Sequence, residues 1–123
     1  LSDNYESLSS LFQLASLEEL YLSEMSIYYK HEPQLEQLPT EILNLKKLKT
    51  LSINHKYANI QNLEIISELS SLEHLSLENC PVETIPLALG KLKKLKTLNL
   101  RNTKIKAIPK ELQAQFVDCT ILI

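Results

Sequence analysis

Leucine and isoleucine recur along the chain in a fixed frame that is repeated four times. Each copy reads L-x-x-L-x-L, with only leucine or isoleucine at its three apolar positions. The copies are Leu17-Leu20-Leu22, Leu48-Leu51-Ile53, Leu72-Leu75-Leu77 and Leu95-Leu98-Leu100. Their last two apolar positions alternate with other residues, which is typical of a short strand with one buried face. The frame therefore predicts four short strands, whose repeats start 31, 24 and 23 residues apart.

A second apolar pattern follows three of the four predicted strands. It opens with the pairs Leu38-Pro39, Ile85-Pro86 and Ile108-Pro109. A buried-type residue comes three positions after each proline, at Ile42, Leu89 and Leu112. This spacing favours a helical or 3₁₀ turn, and the proline ends the extended segment before it. One such repeat cannot bury its own leucines, whereas stacked repeats can do so around a parallel sheet.

The combined pattern resembles the leucine-rich repeat family, in its variant of about 23 residues with an I-P-x-x-(L/I) segment. The resemblance runs from about Leu8 to Leu112. It implies an α/β solenoid with short parallel strands on the concave side and helical or 3₁₀ turns on the convex side. We interpret the chain as one domain of the following parts: a helical cap over residues 1–16, repeats starting near 17, 48, 72 and 95, and a partial fifth strand over 117–123.

The first two repeats depart from the family pattern. The family's ninth position, which usually holds a capping asparagine, is occupied here by Met25, Lys56, Cys80 and Thr103. Cysteine and threonine are familiar there, so we expect a weakened or rearranged polar ladder in the first two repeats only. The first repeat also carries an insertion over residues 26–33, and the second lacks the I-P pair and has one extra residue near Tyr57. Long loops on a regular scaffold are often functional.

Strand residues that flank the buried leucines are predicted to form a polar face. The candidate partner-binding residues on it are Glu19, Tyr21, Asn54, His74, Glu78, Asn99 and Arg101. Such a face suits a protein or peptide better than a small apolar ligand. Tyr21 and Arg101 are the first candidates because interface hot spots favour these residue types. Glu78 and Arg101 are expected to face each other on adjacent strands, and the alternative to a binding role is that they only form an exposed pair worth under ~1 kcal/mol.

A tyrosine-rich flank is the second candidate surface. Tyr28 and Tyr29 of the insertion are expected near Tyr57 of the next repeat, where the three rings would form a contact site for a partner. The alternative is that Tyr57 only packs under the insertion.

No catalytic, cofactor or metal site is expected. His55 and His74 are predicted about 16 Å apart, too far to share a metal ion, and His31 falls in the insertion. Cys80 occupies the buried ninth position, which predicts an inert thiol, and Cys119 is too far along the stack to be its disulfide partner. No nucleophile or phosphate-loop motif is present, and a convergent polar cleft around either histidine would contradict the non-enzymatic interpretation.

Charge and hydropathy exclude further classes of partner. The net charge is −2, and the lysines of runs 46–49 and 91–96 alternate with frame leucines, so they are expected on a solvated edge and not on a nucleic-acid or membrane surface. No apolar run approaches the ~18 residues of a membrane span. Two cysteines are compatible with a reducing compartment, which favours a cytoplasmic location without establishing it.

The best-supported function is protein–protein recognition without catalysis. Residues 1–45 are mostly acidic and residues 91–123 mostly basic. The partial fifth strand is expected to need cover, either from a continuation of the chain or from another chain. Self-association through this edge, helped by the opposed charges, is therefore one alternative. A recognition fragment of a larger signalling or effector protein is another.

Overall fold

The computed structural model describes residues 12–23, 37–56 and 58–123. Five parallel strands form one sheet whose spatial order is the chain order. The strands are β1 (Glu19–Ser23), β2 (Thr50–Asn54), β3 (His74–Ser76), β4 (Thr97–Asn99) and β5 (Thr120–Leu122). Equivalent frame positions pair across the sheet, as Leu51 does with Leu20 and with Leu75. Each repeat therefore stacks directly on its neighbours.

A short helix precedes each of the strands β2 to β5 and returns the chain beneath the sheet. Three are 3₁₀ helices, η1 (Thr40–Asn44), η2 (Leu63–Glu68) and η3 (Leu87–Lys91), and the last is an α-helix, α1 (Lys110–Gln115). Pro39, Pro86 and Pro109 are the N-cap residues of η1, η3 and α1, with ψ of 143°, 142° and 141°. Proline there holds extended backbone up to the residue at which the helical turn begins. In η2 the N-cap is Asn62.

The core lies between the sheet and these helices. Leu51, Leu75 and Leu98 of the frame are at most 1% exposed. They lie in one apolar cluster with the buried faces of the helices, which include Ile42, Ile66, Leu89 and Leu112. Burying one such side chain fully contributes about 1.5–3 kcal/mol. Parallel strands on one side and 3₁₀ turns on the other confirm the predicted leucine-rich-repeat solenoid.

Several predicted features lie at or beyond the limits of the described residues. Residues 1–11 of the expected helical cap are outside them, and residues 12–16 form turns around the fully buried Phe12. Met25, the insertion with Tyr28, Tyr29 and His31, and Tyr57 are also outside the described ranges. At the other end, the fifth strand spans Thr120–Leu122, and Phe116 is buried ahead of it.

The polar ladder of the second repeat is rearranged. Lys56, expected at the inward ninth position, is exposed, and the preceding His55 is fully buried. An ammonium group costs far more to bury than a neutral imidazole. The extra residue expected near Tyr57 lies instead in η2, which has six residues where η3 has five. In the next repeat Cys80 is buried as predicted, with its thiol donating to the Ile53 carbonyl at 3.2 Å. Thr103 donates its hydroxyl to the Leu100 carbonyl at 2.8 Å.

Candidate functional site

The outward side chains of the five strands form two continuous rows, which we call the open sheet face. The rows are Glu19, Thr50, His74, Thr97 and Thr120, and Tyr21, Ser52, Ser76, Asn99 and Leu122. They alternate with the buried frame residues, so the pleat of each strand places them on the other side of the sheet from the core. The face is mostly small and polar, with Tyr21 at one end and Leu122 at the other.

A shallow groove of about 260 Å³ runs across this face. Its lining includes Tyr21 on β1, Leu122 on β5 and the small side chains of Ser52 and Ser76 between them. The surface that lines the groove is mostly apolar, and the hydroxyl groups of Ser52 and Ser76 offer hydrogen bonds between its two bulky ends.

Hydrogen bonds between side chains hold the polar groups of the face in place. His74 Nδ1 and the Thr97 hydroxyl are 2.8 Å apart. The Tyr21 hydroxyl donates to Glu19 Oε1 at 3.1 Å, and the side chain of Tyr21 stays 62% exposed. This hydrogen bond to the Glu19 carboxylate, together with its negative charge, raises the pKa of Tyr21 above its ordinary value.

Four of the predicted partner-binding residues belong to the open sheet face, namely Glu19, Tyr21, His74 and Asn99. Tyr21, His74 and Asn99 line the groove, whereas Glu19 reaches it through Tyr21. Glu78 accepts a hydrogen bond from Asn99 Nδ2 at 3.0 Å. The expected ion pair between Glu78 and Arg101 is not among the ion pairs of the described ranges.

Asn54 and Arg101 lie at the ends of strands, beyond the groove lining. Leu122 is a groove residue that the sequence interpretation missed. It stands 23 positions after Asn99 and pairs with it, so continuing the repeat frame by one more turn would have found it.

His74 lines the groove. It is one of the two histidines around which a convergent polar cleft would have contradicted a non-enzymatic interpretation. His74 has the Thr97 hydroxyl as its hydrogen-bond partner, and no carboxylate belongs to the groove lining. His55 is fully buried and is not part of the groove lining. Within the described ranges, no group of three or more potential ligand side chains could hold a metal ion.

The edge of the sheet where the strands begin carries alternating charges, Glu18, Lys49, Glu73 and Lys96. Lys49 pairs with Glu18 at 3.5 Å and Lys96 with Glu73 at 3.1 Å, each across one repeat boundary. The hydrogen bond from Lys96, with smaller contributions from the charges of Lys96 and Lys49, lowers the pKa of Glu73. We call this row the strand-start ladder. It places lysines of both predicted runs on a solvated edge.

Asparagines join the repeats where the strands end. Asn79 Nδ2 donates to Asn54 Oδ1, and Asn102 Nδ2 donates to Asn79 Oδ1, both at 3.0 Å. Asn79 and Asn102 have positive φ angles of 67° and 57°. Asparagine tolerates this left-handed conformation better than most residues. These side chains therefore make the turn and the contact between repeats at the same time.

None of the described helices is long and apolar enough to cross a membrane. A family model described as leucine-rich repeats in two copies matches residues 70–113. Among curated proteins, a probable disease resistance protein of Arabidopsis thaliana is 35% identical over 82 residues, which are 66% of this chain and 11% of that protein. A volume-regulated anion channel subunit of Homo sapiens is 31% identical over 111 residues, 85% of this chain and 12% of that protein. The chain thus spans only a small part of these relatives.

Solved structures extend the likeness to most of the chain. A leucine-rich repeat protein of Leptospira interrogans superposes with a TM-score of 0.71 at 31% identity, covering 94% of this chain and 27% of that one. An internalin of Listeria monocytogenes gives a TM-score of 0.54 at 19% identity, covering 94% and 43%, and this likeness concerns the fold alone. Domains of this family are typically interaction modules without enzymatic activity. Together with the repeat frame and its stacking, these findings identify the chain as a leucine-rich repeat protein.

Proposed function

We propose that this chain is a protein-recognition module that binds an extended segment of a partner in the groove of the open sheet face. The observation that carries the proposal is the groove itself, about 260 Å³ in volume, with the exposed Tyr21 at one end. Tyr21 and Leu122 are four strand spacings apart, about 19 Å at ~4.8 Å per spacing. At ~3.3 Å per residue, about six residues of extended peptide would lie across the strands.

The groove lining is mostly apolar with a few hydroxyl groups, which supports a peptide with apolar side chains. The ring of Tyr21 and the side chain of Leu122 offer apolar contact at the two ends. The hydroxyls of Ser52 and Ser76 offer hydrogen bonds to a peptide backbone between them. Truncating an exposed aromatic residue of this kind at an interface commonly costs more than ~1 kcal/mol of binding free energy. Catalysis is not part of this proposal, because the groove offers His74 no carboxylate partner within its lining.

Selection of peptides on the intact chain tests the proposal. Random peptides of about ten residues, longer than the groove, would be selected and their Kd values measured against variants. Tyr21→Ala is expected to weaken selected binders about tenfold, and Ser76→Trp, which fills the floor, at least as much. Glu41→Ala on η1 is the matched exposed control and is expected to change Kd less than twofold. Binders that tolerate both groove substitutions would contradict the proposal.

The tyrosine-rich flank of Tyr28, Tyr29 and Tyr57 is the alternative surface for the same function. Binders that lose affinity with Tyr28→Ala and Tyr29→Ala, and keep it with Tyr21→Ala, would favour the flank over the groove. Self-association through β5 is a separate proposal, supported by the exposed Val117 and Ile123 near that strand, 82% and 57% exposed. Sedimentation equilibrium at low and high salt tests it, and a monomer at both salt concentrations would contradict it.

A further inference from the structure

One ring nitrogen of His74 is held by the protein, and the other is accessible from the groove. His74 Nδ1 lies 2.8 Å from the hydroxyl of Thr97 on the next strand. The ring is half-buried and lines the groove of the open sheet face. Within the described ranges, Nε2 has no hydrogen-bond partner and is not buried. A molecule that lies in the groove can therefore bind to Nε2.

The contact with Thr97 suits both charge states of the ring. A hydroxyl group both donates and accepts hydrogen bonds. When the hydroxyl donates to Nδ1 of the neutral ring, the ring proton is on Nε2. When the ring is charged, Nδ1 donates to the hydroxyl oxygen and Nε2 again carries a proton. In both arrangements the ring keeps its place and offers an N–H donor to a ligand.

His74 is the only basic side chain in the described groove lining. Asn99 is the other lining residue with side-chain N–H groups, and its amide is already engaged. Its Nδ2 donates to Glu78 at 3.0 Å, and its Oδ1 accepts from the Arg101 N–H at 3.1 Å. The remaining lining side chains are hydroxyl-bearing or apolar. An anionic group of a ligand therefore has one counterpart in the groove, which is the imidazole.

The charged side chains around His74 lie outside the groove lining. On the strands β1 to β4 and at their starts and ends, they include Glu19, Lys49, Glu73, Glu78, Lys96 and Arg101. Glu73, which interacts electrostatically with His74, is paired with Lys96 at 3.1 Å. Glu19 and Glu78 accept hydrogen bonds from Tyr21 and Asn99. A carboxylate that faces the imidazole inside the groove therefore has to come from a ligand.

We propose that the groove selects peptides with a central aspartate or glutamate, and that its affinity for them rises as the pH falls below neutral. This inference rests on the proposed function of the groove. The carboxylate accepts a hydrogen bond from Nε2–H of His74, and it forms an ion pair when the ring is charged. The mostly apolar lining screens such a pair less than water does. Recognition is thus strongest when the ring carries its second proton.

The place of His74 on the sheet sets the place of the acidic residue. Its strand, β3, is two spacings from the strand of Tyr21 and two from that of Leu122. Two spacings are about 10 Å at ~4.8 Å each, which three residues of extended peptide span at ~3.3 Å per residue. The acidic residue is therefore expected about three positions from each apolar end of the bound segment.

Two peptide libraries test the inference on the intact chain. Both have about ten residues, random flanks and blocked termini, and they differ only in a central glutamate or glutamine. Groove binders are those that lose affinity with Tyr21→Ala, and their Kd is measured at about pH 5.5 and about pH 8. Histidine is ordinarily charged at the first and neutral at the second, whereas glutamate is ionised at both. Glutamate peptides are expected to bind about fivefold more tightly at the lower pH, and glutamine peptides to change less than about twofold.

Two variants separate His74 from a general effect of charge. His74→Gln keeps an N–H donor that cannot titrate, and it is expected to abolish the pH dependence while binding still requires Tyr21. Lys47→Gln removes an exposed positive charge outside the groove and should leave the pH dependence unchanged. Groove binders with equal Kd at both pH values, or with the same pH dependence in His74→Gln, would overturn this inference and leave the groove proposal standing. Binders that tolerate both Tyr21→Ala and Ser76→Trp would contradict the groove proposal and this inference with it.

Discussion

The second repeat (residues 48–71) and the third (residues 72–94) bury the same apolar frame. They differ in the polar groups that form hydrogen bonds with neighbouring repeats. Leu51 and Leu75 are paired across the sheet, and both are at most 1% exposed. Yet the second repeat uses Asn62 before its helix where the third uses Pro86. Stacking therefore requires the leucines at fixed positions, whereas the hydrogen bonds between repeats can differ from one repeat to the next.

The largest effect is expected from removing a frame leucine in either repeat. Leu51→Ala and Leu75→Ala should each destabilise the chain by about 2–5 kcal/mol, because each leaves a cavity that its neighbours fill only in part. Urea unfolding followed by circular dichroism measures the free energy of unfolding. Leu87→Ala, at a side chain 50% exposed on η3, is the control and should cost under ~1 kcal/mol. If Leu51→Ala lowers the free energy of unfolding by less than half as much as Leu75→Ala, the two repeats do not depend equally on their frame leucines.

An intermediate effect is expected where the second repeat differs most. Asn62→Ala removes both hydrogen bonds to the Leu38 backbone and leaves its N–H and carbonyl without these partners, which should cost about 1–3 kcal/mol. The Leu38 amide should also exchange with solvent faster. Gln61→Ala, which removes a single exposed bond, is the control and should cost less. An unchanged exchange rate of the Leu38 amide in Asn62→Ala would show that these two hydrogen bonds do not stabilise the folded backbone at Leu38.

The smallest effect is expected at the strand-start ladder, where both repeats take part. The folded-state pKa of Glu73 is lowered from its ordinary 4.5, so the charged form contributes stability above that pH. This contribution is lost as the pH falls through the lowered folded value. The difference in Tm between the wild type and Glu73→Gln should therefore be greatest near neutral pH and low salt, and should vanish in acid. A difference that persists in acid would exclude the ion pair as its cause. Glu41→Gln serves as the control, because Glu41 is not in any ion pair of the described ranges.

The apolar frame made the fold predictable from sequence, because leucines at a fixed period have few ways to be buried together. The same reasoning placed Cys80 inside the stack and Lys49 and Lys96 on its edge. It also placed Tyr21 on the outward side of the first strand, where it is exposed.

Polar detail was less predictable, since either of two neighbouring loop residues can occupy the inward position. His55 is buried where alignment pointed to Lys56, a shift governed by the difference in desolvation between imidazole and ammonium. Glu78 bonds to Asn99 because an amide on the neighbouring strand competes with Arg101 for its carboxylate. Pro81 cannot make the bond that Lys104 donates to Val82 one repeat later, and this difference becomes informative only in three dimensions.

The asparagines at the strand ends have a consequence for the unfolded chain. Glycine is the usual residue for left-handed backbone, and it enlarges the conformational freedom that folding must remove. Asn79 and Asn102 hold these two positions instead, and the whole sequence contains one glycine, Gly90. The unfolded chain therefore has less conformational entropy than a glycine-rich chain of equal length. Part of the stability of this solenoid comes from having less entropy to lose.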